Sequence, residues 1–165
     1  DTYAPPPPTP GVFDSALVWN GDRYYKQVVE GSVQDLVEHT WSIPLQYPMP
    51  NQTITLSWDP TGWSNLGVFR LKDPFGGSLI DIDMATLTPA LVDSTLGTLD
   101  TSDPIRTELT LTHTAMGTLN VHVTPFERTP TTVQSWHVTV FQEKKVVRLT
   151  CPQCWSTVSE VLHGT

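Results

Sequence analysis

The chain has 165 residues, enough for one domain with an ordinary core and cramped for two. Nine Lys and Arg stand against seventeen Asp and Glu, a formal net charge of −8, which excludes a nucleic-acid binder and disfavours an anionic membrane surface. Charged residues are only 16% of the chain, so Thr, Ser, Pro and Gly carry the surface, as in many extracellular β-proteins.

The chain opens at Asp1 and runs straight into a proline tract, with no initiating Met and no signal peptide. That start leads us to expect a mature secreted or surface-displayed protein. No apolar run has the length of a transmembrane helix, so no membrane insertion is expected. Pro5, Pro6, Pro7 and Pro8 are consecutive. Fixed φ angles and missing N–H donors predict an extended polyproline II arm, drawn here as residues 1–15, ahead of a single domain over residues 16–165. Two readings of the arm stand side by side. It is a stiff spacer, or it lies on a neighbouring molecule with Val12 and Phe13 as anchors beyond the prolines, because a pre-extended segment loses little entropy on docking.

The remainder reads in period two, broken by turn residues. Residues 16–19 and 23–29 flank Asn20-Gly21-Asp22, the strongest short hairpin signal. Residues 36–47 form an aromatic and β-branched run that Pro44 should kink or confine to an edge. In residues 53–58, Ile54, Leu56 and Trp58 share one face. Strands at 68–72 and 79–84 surround Asp73-Pro74-Phe75-Gly76-Gly77, a plain turn. A short helix is expected near residues 89–96. Residues 108–113 and 118–123 read as a hairpin around Ala115-Met116-Gly117, with Leu109, Leu111, Leu119, Val121 and Val123 inward. Strands at 133–142, 146–150 and 157–162 complete nine or ten. That spacing predicts an all-β, antiparallel sandwich of Ig-like or jelly-roll-like type.

Several features could carry chemistry. Cys151-Pro152-Gln153-Cys154 points first to a small disulfide, within or between chains. Zinc would need ligands beyond the chain's two cysteines, and redox use wants a helix N-terminus where here a β-patterned tail follows. Of the five histidines, His39, His113, His122, His137 and His163, His113 and His122 flank one expected hairpin. No Gly-x-Ser-x-Gly elbow accompanies them, and no catalytic residues are assigned. Asp81 and Asp83 with Asp73, and separately Asp100 with Asp103, are weak calcium candidates better read as polar strand surface and turns. No metal and no cofactor is expected. Trp19, Trp58 and Trp63 are candidates for stacking sugar rings, weighed against ordinary core packing. Asn51-Gln52-Thr53 is a glycosylation sequon that marks a surface position.

Thr55-Leu56-Ser57-Trp58-Asp59, Phe69-Arg70-Leu71-Lys72-Asp73-Pro74 and Ile80-Asp81-Ile82-Asp83-Met84 resemble β-sandwich modules of Bacteroidetes–Chlorobi-type surface proteins. The size, the proline-led arm and the lone domain also resemble small secreted subunits of extracellular bacterial tubules and filaments. That resemblance implies a homopolymer in which a terminal strand of one subunit, the arm or the tail 156–165, completes the sheet of the next. The expected function is a non-enzymatic structural subunit. The alternative is a carbohydrate-binding or adhesion module with a polysaccharide partner.

Overall fold

The structure is a computed structural model that describes residues 1–30, 37–47, 52–112, 117–126, 133–141 and 146–150, with backbone alone for 28–30, 133–141 and 146–150. The fold is all-β and mostly antiparallel. Among the described residues the only helical element is the 3₁₀ turn Trp63–Asn65. No helix among them is long and apolar enough to cross a membrane.

Among the described residues fourteen strands are present: β1 (Thr2–Tyr3), β2 (Asp14–Ser15), β3 (Leu17–Trp19), β4 (Asp22–Glu30), β5 (His39–Gln46), β6 (Thr53–Trp58), β7 (Gly67–Lys72), β8 (Ile80–Asp83), β9 (Ala90–Val92), β10 (Gly97–Asp103), β11 (Arg106–Thr112), β12 (Thr118–Pro125), β13 (Val133–Phe141) and β14 (Val146–Thr150). The count exceeds the nine or ten expected because the short β1, β2 and β9, and also β10, were not among the strands expected. Strands follow the order β10-β11-β6-β14-β13-β4-β3-β5-β12-β7-β8-β9, with β1 added to β4 and β2 to β5. Among the described residues every pairing is antiparallel except β14 with β6.

β9 and β10 stand at opposite ends of this order, yet only residues 93–96 separate them in sequence. Laid flat, the ladder would hold its ends about 50 Å apart. Four residues span no more than about 17 Å. The ladder must therefore fold back on itself. The core agrees, because Ile54, Leu56, Leu109 and Leu111 from one half share a single buried cluster with Ile43, Phe69, Ile82 and Val121 from the other. Asp93 makes the tight link: its carbonyl accepts from Leu96 and Gly97, and its carboxylate accepts from the Thr95 N–H and hydroxyl.

The expected hairpin at Asn20-Gly21 forms as β3 and β4, with φ of 51° and 88° at the two turn residues, as a type I′ turn requires. Three expectations are corrected. The region of the expected helix at 89–96 holds β9 and the Asp93 turn instead; its Thr, Leu and Asp content suited either, and strand pairing with β8 decides. Residues 108–112 and 118–123 are strands with the predicted inward faces, but they are not a hairpin. β11 pairs with β10 and β6, whereas β12 pairs with β5 and β7. Finally, Pro44 does not confine its strand to an edge. β5 pairs with β12 along one side, and along the other with β3 at Ser42 and β2 at Leu45 and Gln46. Pro44 falls at the change of partner, where its missing N–H interrupts no ladder and the Ser15 hydroxyl donates to its carbonyl at 2.8 Å.

Candidate functional site

The proline arm and the surface that seats it are the part of the molecule least like a core. Four successive prolines can only accept hydrogen bonds. Whatever holds such a segment must donate, and two side chains of the domain do so. Arg23, one residue into β4, donates to the Pro5 carbonyl. Gln46, at the end of β5, places its Nε2 3.4 Å from the Pro8 carbonyl, 3.1 Å from that of Thr9 and 2.7 Å from that of Val12. Ahead of the prolines, β1 pairs with β4, and the Ala4 N–H donates to the Arg23 carbonyl at 2.8 Å. The Tyr3 ring lies on that of Tyr24 with centroids 4.8 Å apart. Burial first, and then the Tyr3 hydroxyl, hold the Tyr24 phenol above its ordinary range.

Beyond the prolines the chain reverses at Gly11, whose φ is 97°, a conformation that costs glycine little. The two side chains that follow the reversal differ sharply. Val12 is 40% exposed, whereas Phe13 is 3% exposed and belongs to the core. Asp14 and Ser15 follow as β2 on β5. The exposed stretch therefore ends at Val12, and Phe13 belongs to the core. From Thr2 to Val12 every residue is exposed except half-buried Ala4. Arg23 closes the loop: the same guanidinium that reaches Pro5 also forms an ion pair with the Asp14 carboxylate, so one side chain joins both ends of the arm. The proline run was legible in composition as a segment that can only accept hydrogen bonds. The roles of Arg23, Gln46 and Asp14 were not, because nothing local marks a donor or acceptor whose partner lies 9, 18 or 38 residues away.

The other predicted residues fall elsewhere. Trp58 is 1% exposed and donates its indole N–H to the Met84 carbonyl at 3.0 Å. Trp63 is 3% exposed and packs on Phe69 with centroids 5.1 Å apart. Neither can stack a sugar, since the period-two pattern and the 3₁₀ turn direct both rings inward. Trp19 alone of the three stays partly exposed, beside His39 and Trp41 at one rim of the core.

His122 Nδ1 lies 3.1 Å from both Thr40 Oγ1 and Glu38 Oε1 on the outer face of β5 and β12. With β11 and β12 in different pairings, the hairpin that would have brought His113 to His122 does not exist; His113 itself lies outside the described residues. The aspartates have separate duties. Asp81 pairs with Arg70, Asp83 caps the Ala85 and Thr86 N–H groups, and Asp100 and Asp103 each accept from the residue two ahead. Asp73, expected in a plain turn, organises its whole loop. Among the described residues no three His, Cys, Asp or Glu gather into a metal-binding group. Cys151, Cys154, Asn51, His163 and the strand expected at 157–162 lie outside the described residues, as does the tail as a donated segment.

No family model, curated protein or solved structure matches the chain, so its functional reading rests on the arm, its seat and the fold that carries them.

Proposed function

We propose that the chain is a non-enzymatic extracellular structural subunit, a β-sandwich that assembles into a filament or tubule by passing its N-terminal arm to a neighbour. The observation that carries this reading is the attachment of the arm. Residues 2–12 bury almost none of their side chains and are held through backbone carbonyls and one short pairing, β1 with β4. Every one of those contacts can be made equally well by the arm of another copy. A head-to-tail contact of this kind propagates into a filament when it does not close into a ring. The folded-back ladder with one shared core supports the sandwich.

Electron microscopy and sedimentation of the full chain, compared with a variant lacking residues 1–10, test the reading. The shorter variant keeps Phe13 in the core, so loss of polymers reports on the arm rather than on folding. Polymers from the full chain that disappear with the deletion are expected. Polymers unaffected by the deletion, or none from the full chain, overturn it. Trp19, the partly exposed ring at the rim, keeps a polysaccharide-binding module as the second reading. A tryptophan fluorescence shift on adding polysaccharide to a stable monomer would favour that instead.

A further inference from the structure

We infer that Gly11 is the hinge that decides whether the arm fills the seat on its own domain or the identical seat on a second copy, and that Arg23 is the side chain that makes the seat. The inference rests on the arm-exchange reading and adds its control. The contacts on the seat are the same whichever copy supplies the arm: the Pro5 carbonyl on Arg23, the Pro8 carbonyl on Gln46, the Ala4 N–H on the Arg23 carbonyl. What differs is the link between arm and core. To reach its own seat the chain must reverse between Pro10 and Val12, and it does so with Gly11 at φ 97°. A side chain at that φ is strained, and a β-branched one strongly so. Straightening the link relieves the strain, carries the arm away from its own domain and leaves the seat open. Phe13, Asp14 and Ser15 stay in place beyond the hinge, so the domain remains closed while the arm moves. Exchange of one element between identical copies through a hinge that cannot reverse is the ordinary route to swapped assemblies.

Arg23 sets the strength of the seat because its planar fork serves two acceptors, Pro5 and Asp14. Lysine would keep the charge facing Asp14 but lose the fork that also reaches the arm. The arm itself carries no ionisable side chain between Thr2 and Val12 except the Tyr3 phenol, so the seat selects for carbonyl acceptors and ring stacking.

The test uses the full chain carrying Gly11→Val, the same with Arg23→Lys, and Gly11→Ala as a milder hinge change in case the valine chain folds poorly. Sedimentation velocity reads assembly, and hydrogen exchange at the Ala4 amide reads whether a seat is filled. The expected result is a larger assembled fraction for Gly11→Val, and in smaller proportion for Gly11→Ala, than for the unsubstituted chain, with the Ala4 amide still protected. Adding Arg23→Lys should return the chain to monomer and speed Ala4 exchange at least about tenfold. A Gly11→Val chain that assembles no more than the unsubstituted chain, with a protected Ala4 amide, would overturn the hinge and leave the arm-exchange reading standing. A monomer with a fast Ala4 amide would overturn the arm-exchange reading itself, since a freed arm finds no second copy. Larger species that persist with Arg23→Lys while Ala4 exchanges fast would overturn the seat.

Discussion

Asp73 is a carboxylate only 1% exposed, and it is stable there because the loop it opens turns four backbone N–H groups toward it. Oδ1 accepts from Phe75 and Gly77, and Oδ2 accepts from Leu79 and Ile80 at 2.7 Å each. Burial pushes its pKa up, but the four backbone bonds together outweigh that and hold it below the ordinary 3.8. Asp73→Asn keeps the shape but turns one acceptor oxygen into a donor, leaving N–H groups unpaired. It should cost about 2–3 kcal/mol at neutral pH by denaturant unfolding. Because the folded pKa is depressed, the stability that Asp73 contributes is present above 3.8 and is lost as pH falls through its lower folded value. The gap between wild type and Asp73→Asn should therefore narrow as the pH drops below 3.8; a constant gap would mean that the carboxylate's charge is not what the loop uses. Read in sequence, Asp73-Pro74-Phe75-Gly76-Gly77 announces a turn by its proline and glycines. The carboxylate's role was hidden because two of its four donors lie six and seven residues on, past the loop, and meet it only when β7 and β8 pair.

At the scale of elements, faces were legible and partners were not. Period two places Leu109 and Leu111 of β11, and Leu119, Val121 and Val123 of β12, on the buried side, and all five are buried. The partner of each strand is a non-local matter of where the ladder turns, and Ala115-Met116-Gly117 lacks the two-residue signal that made Asn20-Gly21 decisive. Close approach between strands is likewise invisible until they pair. A Cβ on Gly97 would sit 2.6 Å from the Thr110 carbonyl oxygen across the β10–β11 pair, whereas one on Gly117 would meet nothing within 4 Å. Gly97→Ala should therefore force β10 off β11 and cost about 1–3 kcal/mol. Gly117→Ala should stay within about 0.5 kcal/mol of wild type. Thermal unfolding of the two variants side by side checks this. Equal midpoints would show that β10 yields without loss and that its contact with β11 is not a tight part of the fold.

The whole molecule sets like charge against an uncharged contact. Each copy carries a formal net charge of −8, yet the segment proposed to join copies, residues 2–12, contains no Asp, Glu, Lys, Arg or His. Carbonyl-to-donor bonds and the Tyr3–Tyr24 ring contact hold the arm to its seat, and neither depends on ions at long range. Repulsion between the acidic bodies does depend on them. The screening length falls to about 8 Å at physiological ionic strength, less than the separation between most charges on two subunits joined through an arm. Salt should thus remove the unfavourable part of assembly and leave the favourable part almost untouched. The assembled fraction of the Gly11→Val chain, measured by sedimentation at low and at physiological ionic strength, should rise with salt. A fall with salt would locate the joining contact in opposite charges on the domain surface, where Arg70, Lys72 and Asp81 lie on neighbouring strands, and would take the arm out of the assembly.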